Sequence, residues 1–234
     1  MKLTFSENNR DTGEIHFLKG RISRISRLIP TIVNITPLYA PERARVEAFI
    51  QKIYAKSYNA KIVVNYPILM SVRDVAGNIM AAVGFRPAEK EPLFLEQYLG
   101  APIEESLSGV YCQKIQREQI AEIGNLASAG GGASIFLFMA MASHLNNIGI
   151  SHAVVTGTDY LHKKFIQLGL NPQKICDATP DAVSRNIDKW GSYYETNPRV
   201  LVGSIADGVV RLKAALGVEY TSLIPRLHYR YPYV

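Results

Sequence analysis

A glutamate and three consecutive glycines stand close together near the middle of the chain, in the stretch EIGNLASAGGGAS. The glutamate, Glu122, lies in a short apolar run. A carboxylate buried there would have a raised pKa, which suits a general base that takes a proton from an amine. The glycines, Gly130, Gly131 and Gly132, precede an apolar run that predicts a buried helix. Since N–H groups at a helix start attract phosphate and glycine lets a ligand approach the backbone, this junction predicts a phosphate-binding turn.

The residues around the glycines extend this candidate site. Asn125 and Ser128 can donate hydrogen bonds to a carbonyl oxygen of a substrate, or they can simply cap the turn. A plain tight turn is likewise the alternative to a phosphate cradle. The predicted cradle consists of Ser128, Ala129, Gly130, Gly131, Gly132 and Ala133. Gly131→Val is expected to block the approach of a ligand and to leave the protein folded.

A second glutamate offers the same chemistry as the first. Glu96, in the stretch FLEQYL, is another candidate base for an amine. Both Glu96 and Glu122 have structural alternatives, which are a solvent-facing position or an ion pair, for which Arg73 and Arg86 of the preceding segment are candidates. The pattern of residues leaves both readings open.

Two threonines and an aromatic group complete the set of candidates. Thr156 and Thr158 follow a fully apolar stretch, and ligands bind at the carboxyl ends of strands in open α/β sheets. Their alternative is to cap the next helix. Trp190, Tyr193 and Tyr194 form a compact aromatic group that can wall a substrate pocket, or can anchor the C-terminal segment to the core.

Hydrophobic periodicity predicts the elements that position these residues. Residues 40–58 predict a helix, and the runs YPILMSVRD and IMAAVGFRP, joined by VAGN, predict a β-hairpin. IAEIGNLAS predicts a strand and residues 133–147 a helix that ends at Gly149. SHAVVTGT predicts a further strand, and the residues from Asp159 to Gly169 predict a helix that Asp159 caps. Another helix is predicted near residues 198–216.

The order of these elements predicts the fold class. Strand, glycine turn, helix, strand and helix in series are typical of a βαβα unit with parallel strands, whereas the hairpin is antiparallel. The sum is an α/β (α+β) fold with a mixed central sheet. Gly124 within a strand, followed by the glycine turn, predicts that the sheet is splayed near residues 122–128.

Composition excludes several classes of protein. The chain has 234 residues, with 47% hydrophobic and 20% charged residues, which is ordinary for a globular protein. The net charge of +6 suits a phosphorylated ligand, an acidic carrier protein or an anionic lipid surface, and is also common in basic proteins with none of these. No apolar run is long enough to span a membrane, and no signal peptide is visible, so a cytoplasmic location is predicted.

Metal and nucleic-acid binding are not predicted. The five histidines show no ligand spacing, and Cys112 and Cys176 stand far apart, so both cysteines are expected to be buried in a reducing compartment. Residues 226–233 combine arginine and tyrosine, which suits an edge strand, although such a tail can also touch lipid headgroups or nucleic acid. Peripheral membrane contact stays open at this point.

Four motifs carry a resemblance to known proteins. The strand, glycine turn and helix after a hairpin resemble the GNAT acyltransferase superfamily, and the segments from the hairpin to EIGNLA resemble acyl-homoserine-lactone synthases. FLEQYL, EIGNLAS, VVTGT and WGSYY, in this order, resemble the thermostable hemolysins. Two departures stand out: Ala127 or Ser128 occupies the place where the GNAT loop begins with Arg or Gln, and Asn125 replaces an arginine of the synthases.

The resemblance implies a function. It implies transfer of a fatty acyl group from acyl-CoA or an acyl carrier protein to the amine of a small molecule, with no permanently bound cofactor. It implies an N-terminal arm at residues 1–38, a GNAT-like core at 39–178 and a C-terminal extension at 179–234. The alternatives are a lytic or membrane-binding protein without catalysis, as the name hemolysin suggests, and a GNAT-shaped binding module.

Overall fold

The computed structural model describes residues 2–7, 10–18, 20, 26, 28–89 and 91–223. The arginine and tyrosine tail at residues 226–233 therefore lies outside the described residues. The strands are β1 Lys2–Glu7, β2 Arg10–Phe17, β3 Ile32–Pro37, β4 Ile68–Arg73, β5 Ile79–Pro87, β6 Ile120–Ser128, β7 His152–Gly157, β8 Gln173–Asp177, β9 Arg199–Ser204 and β10 Val218–Ser222.

Helices flank the sheet on both faces. The α-helices are α1 Arg43–Tyr58, α2 Ile103–Tyr111, α3 Ala133–Asn147, α4 Asp159–Gln167 and α5 Ile205–Leu216, and short 3-10 helices lie at Phe94–Tyr98, Arg117–Gln119, Pro180–Trp190 and Tyr193–Thr196. Within the described residues the strands form one mixed sheet in the order β10-β2-β1-β3-β4-β5-β6-β7-β9-β8. The predicted mixed α/β fold is confirmed.

Strand β6 separates from β7 halfway along its length. The two strands pair in parallel only from Ile120 to Ile123, which lies opposite Val155. Strand β6 continues to pair with β5 as far as Ser128, with a bulge opposite Val83. At this bulge Asn125 has a φ of 52°, a left-handed conformation that asparagine tolerates better than most residues. The predicted splay is therefore confirmed.

Two apolar cores lie on opposite faces of the sheet. Helix α3 packs on one face through Phe136, Leu137 and Ala140, together with Phe5 and Phe85 from the strands. On the other face α1 packs through Val46, Ile50 and Tyr54. A third cluster joins the Phe94–Tyr98 helix and α2 to the ends of β7 and β9. Because side chains alternate along a strand, β6 presents different residues to the two faces.

The predicted helix near residues 198–216 begins too early. Residues 199–204 form β9, which pairs antiparallel with β7 on one side and with β8 on the other. Val200, Leu201 and Val202 are buried there. A short run rich in β-branched residues that is covered on both sides favours a strand over a helix. Helix α5 begins only at Ile205.

Two local predictions are corrected. Thr158 Oγ1 accepts a hydrogen bond from the Leu161 N–H at 3.3 Å, so Thr158 and not Asp159 caps α4. Cys112 is exposed, at the left-handed residue that ends α2, and Cys176 is half-buried. The expectation that both cysteines are buried is therefore wrong for Cys112.

The N-terminal residues belong to the central sheet. Strand β1 pairs with β2 and β3, and β10 adds a strand beside β2. One sheet thus runs through the predicted segments 1–38, 39–178 and 179–234, and their division stays a prediction. None of the described helices combines the length and the apolar character needed to cross a membrane.

Candidate active site

Glu122 lies on β6 just before the splay, with its side chain only 1% exposed. Its two carboxylate oxygens accept hydrogen bonds from the N–H groups of Phe94 and Leu95, each at 3.0 Å. The Arg86 guanidinium approaches to 3.6 Å. Burial raises the pKa of Glu122 to about 7, although these donors and Arg86 act in the opposite direction. The carboxylate can therefore change its protonation near neutral pH.

Two tyrosines that are not among the predicted site residues lie on the same face of the sheet as Glu122. Tyr66 lies beside its carboxylate, under the Arg86 guanidinium. Tyr54 lies beside Asn125 at the bulge. Burial raises the pKa of both phenols, so their hydroxyl groups stay protonated. The signal in the sequence that could have revealed Tyr66 is the pair Gly84 and Gly124, which face each other across β5 and β6.

Glu96 has a different environment from Glu122. Its carboxylate accepts hydrogen bonds from the N–H groups of Leu93 and Ile103, at 2.6 and 2.9 Å, and from Arg117 at 2.7 and 2.9 Å. Burial acts to raise the pKa of Glu96, but Arg117 and the N–H groups outweigh it and lower the pKa. Its ion-pair partner is thus Arg117, whereas Arg73 pairs with Glu42. This geometry favours the structural alternative for Glu96.

The aromatic group of Trp190, Tyr193 and Tyr194 lies on the same side of the sheet as Glu122. The rings of Trp190 and Phe94 are 5.6 Å apart, and the Tyr98 and Tyr194 hydroxyl groups share a hydrogen bond of 2.6 Å. The Tyr193 hydroxyl donates to the backbone carbonyl of Thr156 at 3.3 Å. Trp190, Tyr193 and Tyr194 therefore meet the Phe94–Tyr98 helix, which Glu122 holds through its N–H groups.

The polar candidates divide into two kinds. The Thr156 Oγ1 atom is buried and has no hydrogen-bond partner among the described residues. Asn125 contacts Tyr54 at the bulge and so faces the same side as Glu122. Thr158 in contrast uses its side chain to cap α4. Thr156 and Asn125 thus lie on the same face of the sheet as Glu122. Thr158 instead caps a helix, which was the predicted alternative to a role in binding.

The glycine turn lies at the end of β6 and opens α3. Gly130, Gly131 and Gly132 have φ values of 96°, 64° and 85°, which other residues rarely adopt. The Gly130 N–H donates to Ser128 Oγ at 3.2 Å. Among the described residues no acceptor faces the N–H groups of Gly131 and Gly132, and no side chain caps α3. These two N–H groups are therefore available to an anion.

The N-terminal segment contacts this turn. Ser26 Oγ donates to the Gly131 carbonyl at 2.8 Å, and a Cβ atom at Gly131 would lie 2.8 Å from Leu28 Cδ1. A valine at Gly131 would thus be strained by its backbone conformation and by Leu28. Gly131→Val is therefore expected to lower the stability of the protein, and that the variant stays folded remains a prediction.

A cavity of about 250 Å³ lies on the face of the sheet opposite Glu122, among α3, α4 and α5. Apolar side chains form most of its wall. Ile123 and Leu126 of β6 and Val155 of β7 line it where these strands diverge, so the cavity reaches the splay. Among the described residues no group of three or more His, Cys, Asp or Glu side chains could hold a metal ion.

Proteins of known structure share this fold at low sequence identity. LasI, an acyl-homoserine-lactone (AHL) synthase, is 13% identical, with a TM-score of 0.52 over 77% of this chain and 91% of its own. The CoA-dependent synthase BjaI, with SAM and isopentyl-CoA, is 12% identical, with a TM-score of 0.52 over 76% and 83%. FeeM, an N-acyl amino acid synthase from uncultured soil microbes, is 13% identical, with a TM-score of 0.54 over 80% and 98%.

The sequence comparisons identify a family. No curated protein matches the sequence of this chain. The thermostable hemolysin family matches residues 38–209, well over half of the chain. This match contains the strand with Glu122, the glycine turn and the aromatic group. The chain therefore belongs to the thermostable hemolysin family and has a GNAT-like fold.

Proposed function

We propose that this protein is an acyltransferase that moves a fatty acyl group from a thioester to the amine of a small molecule. The observation that carries the proposal is the splay between β6 and β7. It connects the two faces of the sheet, which differ in chemistry. One side holds Glu122 among tyrosines, and the other is the apolar cavity of about 250 Å³. A thioester in the splay would direct its carbonyl toward Glu122 and its alkyl chain into the cavity.

The donor is a thioester of coenzyme A or of an acyl carrier protein, and it is a co-substrate rather than a bound cofactor. Its phosphates bind the N–H groups of Gly131 and Gly132 at the positive end of α3, with Ser128, Ala129 and Ala133 beside them. Isopentyl-CoA in the BjaI structure supports coenzyme A, whereas the net charge of +6 suits an acidic carrier protein. We assign the reaction to the cytoplasm, where both thioesters are made.

Glu122 is the proposed general base. The amine nitrogen attacks the carbonyl carbon, its proton passes toward Glu122, and the thiol leaves. A pKa of about 7 suits this role, since a base works best when its pKa is near the working pH. We assign Asn125 and Thr156 to hydrogen bonding with the carbonyl oxygen or the acceptor.

The acceptor binds on the side of Glu122. Trp190, Tyr193 and Tyr194 are the proposed wall of its site, since they pack over the strands next to the splay. FeeM, an N-acyl amino acid synthase, supports an amine acceptor in this fold. Asn125 stands where the homoserine-lactone synthases have an arginine, and this favours a different acceptor from theirs.

The cavity limits the length of the acyl chain. Its volume of about 250 Å³ is finite, so a side chain that fills part of it leaves room only for a shorter chain. Ala142→Leu, on the cavity wall, is expected to shift the preference of the enzyme toward shorter acyl donors. Rates measured with donors of 4 to 12 carbons check this. Ala206→Leu, at an exposed position, is the control, and an unchanged preference in Ala142→Leu would contradict the assignment of the cavity.

Mass spectrometry tests the proposed function. Cells that express the protein are expected to contain N-acylated amines that are missing from cells expressing Glu122→Gln. The purified protein should make the same product from an acyl-CoA or acyl carrier protein donor. In this proposal lysis comes from a surface-active product, so Glu122→Gln should lose the acylated product and the lysis together. Lysis by Glu122→Gln without any acylated product would instead support a directly lytic protein.

A further inference from the structure

Tyr66 lies in a slot that two glycines create in the sheet. Gly84 and Gly124 face each other across β5 and β6. A Cβ atom at Gly84 would collide with the ring of Tyr66 near its Cγ atom, and one at Gly124 would collide with the hydroxyl oxygen. The ring therefore lies across the two strands, with its hydroxyl end over β6. Any side chain at either glycine would fill this slot.

Other residues hold Tyr66 from the remaining sides. The Arg86 guanidinium lies 4.9 Å from the ring centroid, in a cation–π contact. Arg43 donates hydrogen bonds to the backbone carbonyl groups of Tyr66, at 2.6 Å, and of Pro67, at 3.3 Å. Tyr66 is only 7% exposed. The position of its hydroxyl group is thus determined by contacts on several sides.

The hydroxyl group lies between Glu122 and the splay. It sits over Gly124, two residues after Glu122, and β6 leaves β7 directly after Ile123. Glu122 itself is 1% exposed, and both of its oxygens already accept backbone N–H groups. A substrate in the splay therefore meets the Tyr66 hydroxyl before it can reach the carboxylate.

We propose that Tyr66 is a catalytic residue that relays the proton from the amine to Glu122, an inference that rests on the proposed acyl transfer. The nitrogen lone pair forms the C–N bond while the carbonyl electron pair moves to oxygen. The proton on nitrogen passes to Tyr66 Oη as the proton of Tyr66 passes to the Glu122 carboxylate. The C–S bond then breaks, and the same route in reverse returns one proton to the thiolate sulfur.

Tyr66→Phe tests this relay, because it keeps the ring, the slot and the contact with Arg86 and removes only the hydroxyl. We expect turnover to fall by about 10²–10⁴-fold with little change in the KM of the donor and in thermal unfolding. The rise of activity through about pH 7 should also disappear. Tyr220→Phe, on β10 at the far edge of the sheet, is the matched control and should keep full activity.

A second measurement does not depend on catalysis. Burial raises the pKa of Glu122 to about 7, and the Tyr66 hydroxyl is one of the groups that lower it. Carboxyl-labelled NMR titration of Glu122 should therefore give a higher pKa in Tyr66→Phe than in the wild type. An unchanged pKa, or transfer by Tyr66→Phe at the wild-type rate, would overturn the relay alone. A wild type that acylates no amine would overturn the proposed function, and the relay with it.

Discussion

Replacing Glu122 by glutamine is expected to lower the turnover of acyl transfer by about 10²–10⁴-fold, while the affinity for the donor changes little. Glutamine keeps the size of the side chain but cannot take up the proton of the amine. Glu122 contacts neither the glycine turn nor the wall of the cavity, where the donor binds in our proposal. Steady-state kinetics and calorimetry with acyl-CoA measure the two effects on one preparation.

The pH dependence of turnover and of stability should run in opposite directions. Turnover needs the carboxylate and should rise with pH through about 7, the raised pKa of Glu122. Stability behaves differently, because the folded state holds this proton more tightly than the unfolded chain, where the pKa is near 4.5. The stabilisation is therefore complete below pH 4.5 and is lost as pH rises through about 7, by roughly 3 kcal/mol in all.

Denaturant unfolding of the wild type and of Glu122→Gln at several pH values measures this loss. It appears as a difference in unfolding free energy between the two proteins that changes with pH. Glu118→Gln, at an exposed position, is the control for both activity and stability. Glutamine has only one acceptor oxygen for the N–H groups of Phe94 and Leu95, so some loss of stability at low pH is expected as well. Full activity in Glu122→Gln would end its role as a base and leave it only the role of holding the Phe94–Tyr98 helix.

Features that depend on neighbouring residues could be predicted from the sequence. The hairpin follows from two apolar runs around a turn, and the glycine turn from residues that need positive φ. The splay followed from Gly124 and this turn. Glu122 could be recognised because a carboxylate in an apolar strand needs partners in the core. Each of these signals comes from residues that lie within about ten positions of one another in the sequence.

Features that depend on distant residues could not be predicted. The close ion pair that distinguishes Glu96 from Glu122 is made by Arg117, which lies 21 residues from Glu96 in the sequence. The sequence predicts helix where β9 lies, because only the insertion of this segment between β7 and β8 makes a strand favourable there. Tyr66 is not among the predicted site residues, since its slot exists only in the register that puts Gly84 opposite Gly124. Long-range pairing therefore determines which candidate residues can act.

Gly124→Ala is expected to destabilise the protein by adding one methyl group beside the site. The new Cβ atom would overlap the Tyr66 hydroxyl, and the ring cannot move freely because Arg86 covers it and Arg43 holds its backbone. Overpacking of this kind costs about 1–3 kcal/mol of unfolding free energy. Turnover should fall as well, since a displaced hydroxyl no longer lies beside Glu122.

Two comparisons separate this steric effect from the general effect of alanine in a strand. Gly203→Ala, in β9, places its Cβ atom in open space and should be neutral or slightly stabilising in denaturant unfolding. In a Tyr66→Ala background the obstacle is gone, so the added cost of Gly124→Ala should nearly vanish, and a double-mutant cycle measures the difference. If Gly124→Ala costs the same with and without the tyrosine, the slot does not hold Tyr66. Its hydroxyl would then have no defined place between Glu122 and the splay.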